Sequence, residues 1–298
     1  MNVRAIRPED AETIAAVFRA DEDALRGRPS HLGADDIRAY WARLDFRRNS
    51  WLFEDGGKIL AAGWYQLWGD VGHAAGGVAQ GAKGRGIGAA LAERYEESAR
   101  ASGAASLRTF LLPEDAAAVA LFVSRGFREV RRFYEMAIEL DGPPPEPVVP
   151  AGLQLEPFHE RDARAFHDAV GDAFSENWDF VGMPFDDWWG LRRGQHEDEQ
   201  GPLWFVVRDG DEIAAAVRNE VNRAGGGFVG LLGVRRPWRG RGLGRALLHR
   251  SFGEFWRRGL RRVSLGVDSE NPTGATRLYE SVGMAVESTN ATYEKAIA

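Results

Sequence analysis

Cysteine is absent from the 298-residue chain, and that omission removes disulfide staples, thiolate nucleophiles and cysteine-ligated zinc together. Lysine is almost missing as well. Lys58, Lys83 and Lys295 are the only three, so arginine carries the positive charge, a bias of composition with no function attached. There is no surplus of positive charge: the formal net charge is −6, against the basic face expected of a general nucleic-acid binder. No apolar run approaches the roughly 20 residues that span a bilayer, and the opening MNVRAIRPED lacks the apolar stretch of a signal peptide. These omissions predict a cytoplasmic protein with no metal, no nucleic-acid partner and no membrane partner. What is present is ordinary for a globular chain, 44% hydrophobic and 28% charged, in a length that favours two domains of roughly 150 residues each.

The chain contains itself twice. Residues 78–88 (VAQGAKGRGIG) align with residues 234–244 (VRRPWRGRGLG) at an offset of 156. After each glycine cluster, apolar residues recur at helical spacing: Ile87, Leu91 and Tyr95 in one copy, Leu243, Leu247, Leu248, Phe252 and Phe255 in the other. Gly103 and Gly259 then stop the helices. Alternating Leu107, Thr109, Leu111 and Val263, Leu265, Val267 predict the next strand in each copy. LFVSRGF (121–127) and LYESVGM (278–284) close the repeats. Asp55-Gly56 and Asp209-Gly210 mark tight turns between antiparallel strands. Between the copies, the proline-rich segment 141–152 can sustain neither helix nor central strand. The expected division is residues 1–140, a linker over 141–152, and residues 153–298, each half mixed α/β (α+β) with helices on a mostly antiparallel sheet.

The cluster from Arg239 to Gly244 falls between a strand ending near Val234 and a helix starting near Leu243. Unpaired amides at a helix start, backed by the positive end of the helix and unobstructed by β-carbons, make an anion site. Arg235, Arg236, Arg239, Arg241 and Arg245 crowd around it, which suggests one compact phosphate ligand. The residues alone also admit a tight turn without ligand, or a dinucleotide-binding turn. The latter normally follows the first strand of a parallel unit, whereas several antiparallel strands precede the cluster here. A nicotinamide-dependent oxidoreductase remains a reading of the glycines by themselves.

With strand, glycine turn and helix in place twice, the sequence resembles the GNAT (GCN5-related) acyltransferase superfamily. The mark of that family is Arg/Gln-x-x-Gly-x-Gly/Ala between a splayed strand and a helix. Arg239, Gly242 and Gly244 fit it fully, and Lys83, Gly86 and Gly88 with a conservative change. The tandem form is similar to mycothiol synthase-like two-domain acetyltransferases. The resemblance implies acetyl-CoA as cosubstrate, its pyrophosphate held by the amides of Arg239, Gly240, Arg241, Gly242, Leu243, Gly244 and Arg245, with Leu232 and Val234 of the entering strand also against the coenzyme. The activity it implies is acetyl transfer to a primary amine of a small molecule, done by the C-terminal copy with the N-terminal copy degenerate. A non-catalytic acyl-CoA-binding or regulatory protein is the alternative.

Transfer from a thioester benefits from a proton for the departing thiolate, and a phenol of pKa near 10 can serve a thiol of pKa near 8.5. In family members that use this acid it lies in a Leu-Tyr-x-x-x-Gly-Phe/Met pattern, which Leu278, Tyr279, Gly283 and Met284 match. Phe122 takes the place of the tyrosine in the N-terminal copy. Taken alone, Tyr279 reads as a core aromatic; with Phe122 as its counterpart and the fuller glycine motif in the same copy, it is expected to be the catalytic acid. Asn271 before Pro272 predicts a helix cap, and the resemblance adds contact with the coenzyme arm. Many relatives carry a carboxylate on the strand entering the glycine motif, but residues 228–234 (FVGLLGV) hold none. Glu220, Glu176 and Asp179 remain as bases acting through water. The stretch from Phe174 to Trp189, aromatic and acidic, is expected to overhang the acceptor, with Trp178 and Phe180 packing a substrate, Glu176 and Asp179 facing a cation, and Trp188 and Trp189 in the core.

Overall fold

A computed structural model of the protein describes every residue except His31, residues 42–43, residues 222–225 and Ala298. In the N-terminal half the elements are β1 (Asn2–Arg4), α1 (Ala11–Arg26), α2 (Ala34–Tyr40), α3 (Phe46–Asn49), β2 (Ser50–Asp55), β3 (Lys58–Trp68), β4 (Val71–Val78), α4 (Ile87–Ala101), β5 (Ser106–Leu111), α5 (Ala116–Ser124) and β6 (Arg128–Glu139). The C-terminal half repeats the plan with β7 (Leu153–Pro157), α6 (Ala163–Phe174), α7 (Phe185–Arg192), the short β8 (Glu197–Asp198) and β9 (Gly201–Pro202), β10 (Trp204–Asp209), β11 (Glu212–Val221), β12 (Gly227–Val234), α8 (Leu243–Arg257), β13 (Arg262–Asp268), α9 (Ala275–Glu280) and β14 (Ala285–Ala296). The Asp-Gly turns fall between β2 and β3 and between β10 and β11. Glycines at 103 and 259 take φ of 72° and 80° just past α4 and α8, the left-handed geometry that ends a helix.

Two compact units result, and they are not contiguous in sequence: residues 1–132 with 289–298, and residues 133–288. The first unit has the strand order β1-β2-β3-β4-β5-β14, antiparallel except for β4 with β5. The second has β6-β13-β12-β11-β10-β7, antiparallel except for β12 with β13. A cut at the proline-rich segment does not reproduce these units. Residues 133–139 of β6 pair with β13, Phe133 opposite Asp268 and Glu139 opposite Arg262, while residues 291–296 of β14 pair with β5. The last strand of each sequence repeat therefore completes the sheet of the other unit. The alternation of a strand reads its faces, not its partner.

Burial follows the sequence pattern closely in both units. Ile87, Leu91 and Tyr95 of α4 are enclosed, as are Leu243, Leu247, Leu248, Phe252 and Phe255 of α8. Each such side chain contributes about 1.5–3 kcal/mol relative to exposure. Trp204, fully buried, stacks on Phe166 of α6 at 5.3 Å, and Trp188 stacks on Phe166 at 5.9 Å and lies 6.2 Å from Trp204. The sheet of the second unit carries a helix on each face. A β-carbon at Gly227 would run into Phe255 of α8, and one at Gly233 into Ala173 and Phe174 of α6. Six residues apart, these two positions would share a face of a regular strand. They do not, because the register with β11 shifts between Arg218 and Asn219, leaving Gly230 as the extra residue of a bulge. The first unit has no shift between β3 and β4.

Candidate active site

β12 and β13 run together for two positions only, Gly227 beside Val263 and Phe228 beside Ser264, and then part. From Val229 onward β12 has a partner on one side alone, β11. Arg235 donates its amide to the Ala214 carbonyl at 3.0 Å. Because bonded positions alternate along an antiparallel pair, Leu232 and Val234 turn their peptide groups to the open side of the splay. In the first unit β4 and β5 stay paired for four positions, from Val71 beside Ser106 to Ala74 beside Thr109.

Past β12 the chain makes a short turn at 236–238, takes φ of 75° at Gly240 and 83° at Gly242, and enters α8. These values lie in the left-handed region that favours glycine. The first amide bond of the helix runs from Ala246 to the Gly242 carbonyl at 3.0 Å, and no side chain caps the start. The leading amides, at the positive end of a 15-residue helix, are free to receive an anion. The Arg239 amide is already used, donating to the Arg236 carbonyl at 3.2 Å. Gly244 has a different reason for lacking a side chain: a β-carbon there would sit 2.7 Å from Cδ2 of Leu278, so this glycine lets α8 start against α9.

The arginine cluster is largely neutralised from within. Arg239 donates through Nε to the Val234 carbonyl (3.0 Å), through Nη1 to Glu176 (2.6 Å) and through Nη2 to the Ala173 carbonyl (3.2 Å). It ties the glycine turn to the strand before it and to the end of α6. Arg236 shares Glu176 at 2.7 Å, and both arginines hold the Glu176 carboxyl below its usual range, Arg236 the more strongly. Arg235 bridges Asp172 and Glu212 at 2.8 and 2.9 Å. Arg241 is exposed with no carboxylate partner among the described residues, and Arg245 bonds the Ser281 hydroxyl at 3.1 Å. Glu176 is thus the clamp of the loop, in place of the open cation-facing group or base that the sequence suggested. Of the two carboxylates that hold the cluster near the end of α6, sequence reasoning picked out Glu176 for another role and passed over Asp172.

Tyr279 lies on α9, 7% exposed in the core of the second unit. Burial in apolar surroundings pushes its phenol up to about 12. No hydrogen bond of its hydroxyl is formed among the described residues. Phe122 of α5 is also 7% exposed, packed edge-on to Phe127 at 5.1 Å. The two rings are equally buried, and only the hydroxyl separates them. Asn271 does not cap α9. The helix starts after Gly274, whose φ of 72° makes the N-cap. Asn271 instead closes a turn of its own, its Oδ1 accepting the Thr273 amide at 2.9 Å and the Thr273 hydroxyl at 2.5 Å. Pro272 fixes the turn, and left-handed Gly274 redirects the chain into the helix.

The first unit has the same glycine turn, with Gly84 and Gly86 at φ of 77° and 79°, but a different charge beside it. Lys83 Nζ lies 2.8 Å from both Asp21 and Asp115. Burial opposes the Lys83 charge, yet Asp115 and Asp21 more than offset it and its pKa rises. Asp115 also caps α5, accepting the Ala118 amide at 2.9 Å. With Arg85 exposed in the turn itself, two cations and two carboxylates cancel there, and Lys83 is held by its two partners. In the aromatic stretch of the second unit, Trp188 and Trp189 join the core as expected, Phe180 packs on Phe174 at 6.2 Å, and Trp178 on Phe133 at 6.2 Å. Among the described residues no cluster of side chains could hold a metal ion.

A splayed parallel pair, a glycine turn with free amides and a helix behind it, built twice, define the acyltransferase architecture that the sequence resembles. Residues 14–127 and 163–284 match the model of the Acetyltransferase (GNAT) family, and the chain belongs to that family. It is an N-acetyltransferase, and the family's acetyl donor is acetyl-CoA. A mycothiol acetyltransferase of Geodermatophilus obscurus is 31% identical over 229 residues, 74% of this chain and 72% of the relative. Another, of Actinosynnema mirum, is 28% identical over 302 positions that cover 94% of each. A GCN5-related N-acetyltransferase from Sphaerobacter thermophilus matches with a TM-score of 0.83 at 32% identity, over 99% of this chain and 95% of that one. A tandem GNAT protein from the clavulanic acid biosynthesis pathway, at 17% identity and a TM-score of 0.75 over 100% and 98%, shares the fold.

Proposed function

We propose that the second unit transfers the acetyl group of acetyl-CoA to the primary amine of a small molecule and that the first unit does no chemistry. The observation that carries this reading is the Tyr279–Phe122 pair: equal burial, equal place on the closing helix, and a hydroxyl retained only where Arg239 clamps the glycine turn. The amides of Gly240, Arg241, Gly242, Leu243, Gly244 and Arg245 take the pyrophosphate, with the Arg241 and Arg245 side chains adding charge and Arg239 positioning the turn. Leu232 offers its open peptide group, and Val234 the amide left beside a carbonyl that Arg239 already uses, to the amide-bearing arm of the coenzyme, and the Asn271 side-chain amide contacts the same arm. The mycothiol acetyltransferase relatives favour a small amine as acceptor.

Tyr279 donates a hydrogen bond to the departing sulfur. Its phenol stays protonated at every physiological pH, since apolar burial holds its pKa at about 12. Full transfer to a thiolate whose thiol has a pKa near 8.5 is uphill, so the proton is shared in the transition state, where the developing charge is largest. No ionisable side chain lies on β12, and the amine loses its proton to water or to Glu220. Acetyl-CoA is an intracellular metabolite, which places the protein in the cytoplasm; among the described residues no helix is long and apolar enough to cross a membrane. The test is release of free thiol from acetyl-CoA across a panel of small amines. Coenzyme binding without release for any amine would overturn the reading.

A further inference from the structure

At the head of the splay, β11 places two charged residues side by side. Arg218 and Glu220 are two apart and so share a face, and Arg218 lies opposite Leu231, on the face where Gly233 looks toward α6. The bulge residue Gly230 clears the ground between them: a β-carbon there would lie 2.8 Å from Glu220 Oε1 and 3.1 Å from Arg218 Nη2. The Arg218 side chain is only 13% exposed, while that of Glu220 is 41% exposed. Nη1 lies 2.8 Å from Glu220 Oε1 but at an angle that forms no hydrogen bond, and Nη2 reaches the Gly230 carbonyl only at 3.4 Å. Five N–H donors are therefore mostly unfilled on a buried guanidinium, a costly arrangement in a resting protein. Burial, with the nearby charge of Arg192, pushes the guanidinium down to about 10 against the pull of Glu220, so it stays charged at neutral pH.

The first unit shows what the same place holds when no charge is needed. Trp64 and Gln66 stand at the equivalent positions of β3, opposite Ala75 and His73. Trp64 is buried, stacks on Phe18 at 6.1 Å and meets Trp41 edge-on at 5.7 Å. Gln66 spends its amide on the Tyr40 carbonyl at 2.5 Å. An apolar plug fills the face, with no bulge in the adjoining pair. The arginine, the glutamate and the bulge occur together, and only in the unit that holds Tyr279.

Resting on the transferase reading above, we infer that the acceptor carries a carboxylate as well as its amine, as an amino acid does: Arg218 receives the carboxylate and Glu220 draws the ammonium toward the splay. A planar guanidinium matches a carboxylate bidentately, and a ligand carboxylate would fill donors that the protein leaves empty. Exposed Glu220 gives the amine a counter-charge while Arg218 sets its direction.

The test is calorimetric titration of the full-length protein, saturated with coenzyme A, by the L-amino acids, by their amides and by the corresponding decarboxylated amines. At least one amino acid should bind roughly 10- to 100-fold tighter than its own amide, the range of a charge-assisted pair. Arg218→Gln should bring that ratio to within about twofold, and Arg218→Lys, with the charge but not the fork, should fall between; thermal melts confirm that each variant folds. Amides or plain amines binding as well as the amino acids, or a preference that survives in both variants, would overturn the inference. Thiol release on the same compounds separates the two readings. Release from amines with no advantage for carboxylates sinks this inference alone, whereas no release from any compound sinks the transferase reading and leaves the binding ratios to decide the role of Arg218.

Discussion

One oxygen atom distinguishes Tyr279 from its counterpart Phe122, and the consequence is measurable. Tyr279→Phe keeps the packing and should lower turnover by about 10²- to 10⁴-fold, the range of a positioned proton donor, with coenzyme affinity unchanged. Phe122→Tyr should leave turnover untouched. The pH profile adds a check of sign. A phenol held at about 12 is protonated at all lower pH, so its ionisation places no alkaline limb on kcat below about pH 11. A limb near pH 9 that disappears in Tyr279→Phe would contradict the assignment. The tyrosine could be found in the sequence because its neighbours keep fixed spacing to the glycine turn. Arg239 was found for another reason than the one it serves, since its clamp on Glu176 and on the Val234 and Ala173 carbonyls needs the end of α6 beside the turn, a neighbourhood that no local pattern contains.

Elements were the most legible level. Glycine punctuation and helical spacing located α4, α8, β5 and β13, because both depend on a few residues close in sequence. The start of α9 was misplaced by three residues: the Asn-Pro pair favours a cap, but the left-handed Gly274 lets the chain turn first. The bulge at Gly230 was passed over, although a glycine among Phe228, Val229, Leu231 and Leu232 is a usual mark of one. The glycines of the second turn divide into two kinds. Gly242 faces open space with a left-handed φ, so Gly242→Val should cost about 1–3 kcal/mol in strain and weaken coenzyme binding by obstructing the amides. Gly244→Ala should act through Leu278, destabilising by about 1–3 kcal/mol through overpacking. Adding Leu278→Ala should recover part of that loss in thermal melts, whereas it should do nothing for Gly242→Val.

The whole molecule departs furthest from what a linear reading supplies. A proline-rich linker suggested two separable halves, yet each compact unit is closed by a strand from the other repeat. Residues 1–140 expressed alone would expose the edge of β5, and residues 141–298 alone the edge of β13, so each half should aggregate or stay unfolded. Mixing the two during synthesis should restore soluble protein in equal amounts. Coenzyme binding should saturate at one per chain by calorimetry, because Asp21 and Asp115 occupy Lys83 and cancel the positive charge beside the first glycine turn. Two equal sites would refute that assignment.

The exchanged strands also bear on how such a protein can change over generations. A repeat that has lost its chemistry is ordinarily dispensable, and deletion would in time remove it. Here the first repeat supplies residues 133–139 to the sheet of the unit that holds Tyr279, so its loss would take the working repeat with it. The first repeat is then free to drift at its glycine turn while being held by inheritance to its final strand, and among natural variants substitutions should collect around Lys83 sooner than along residues 133–139.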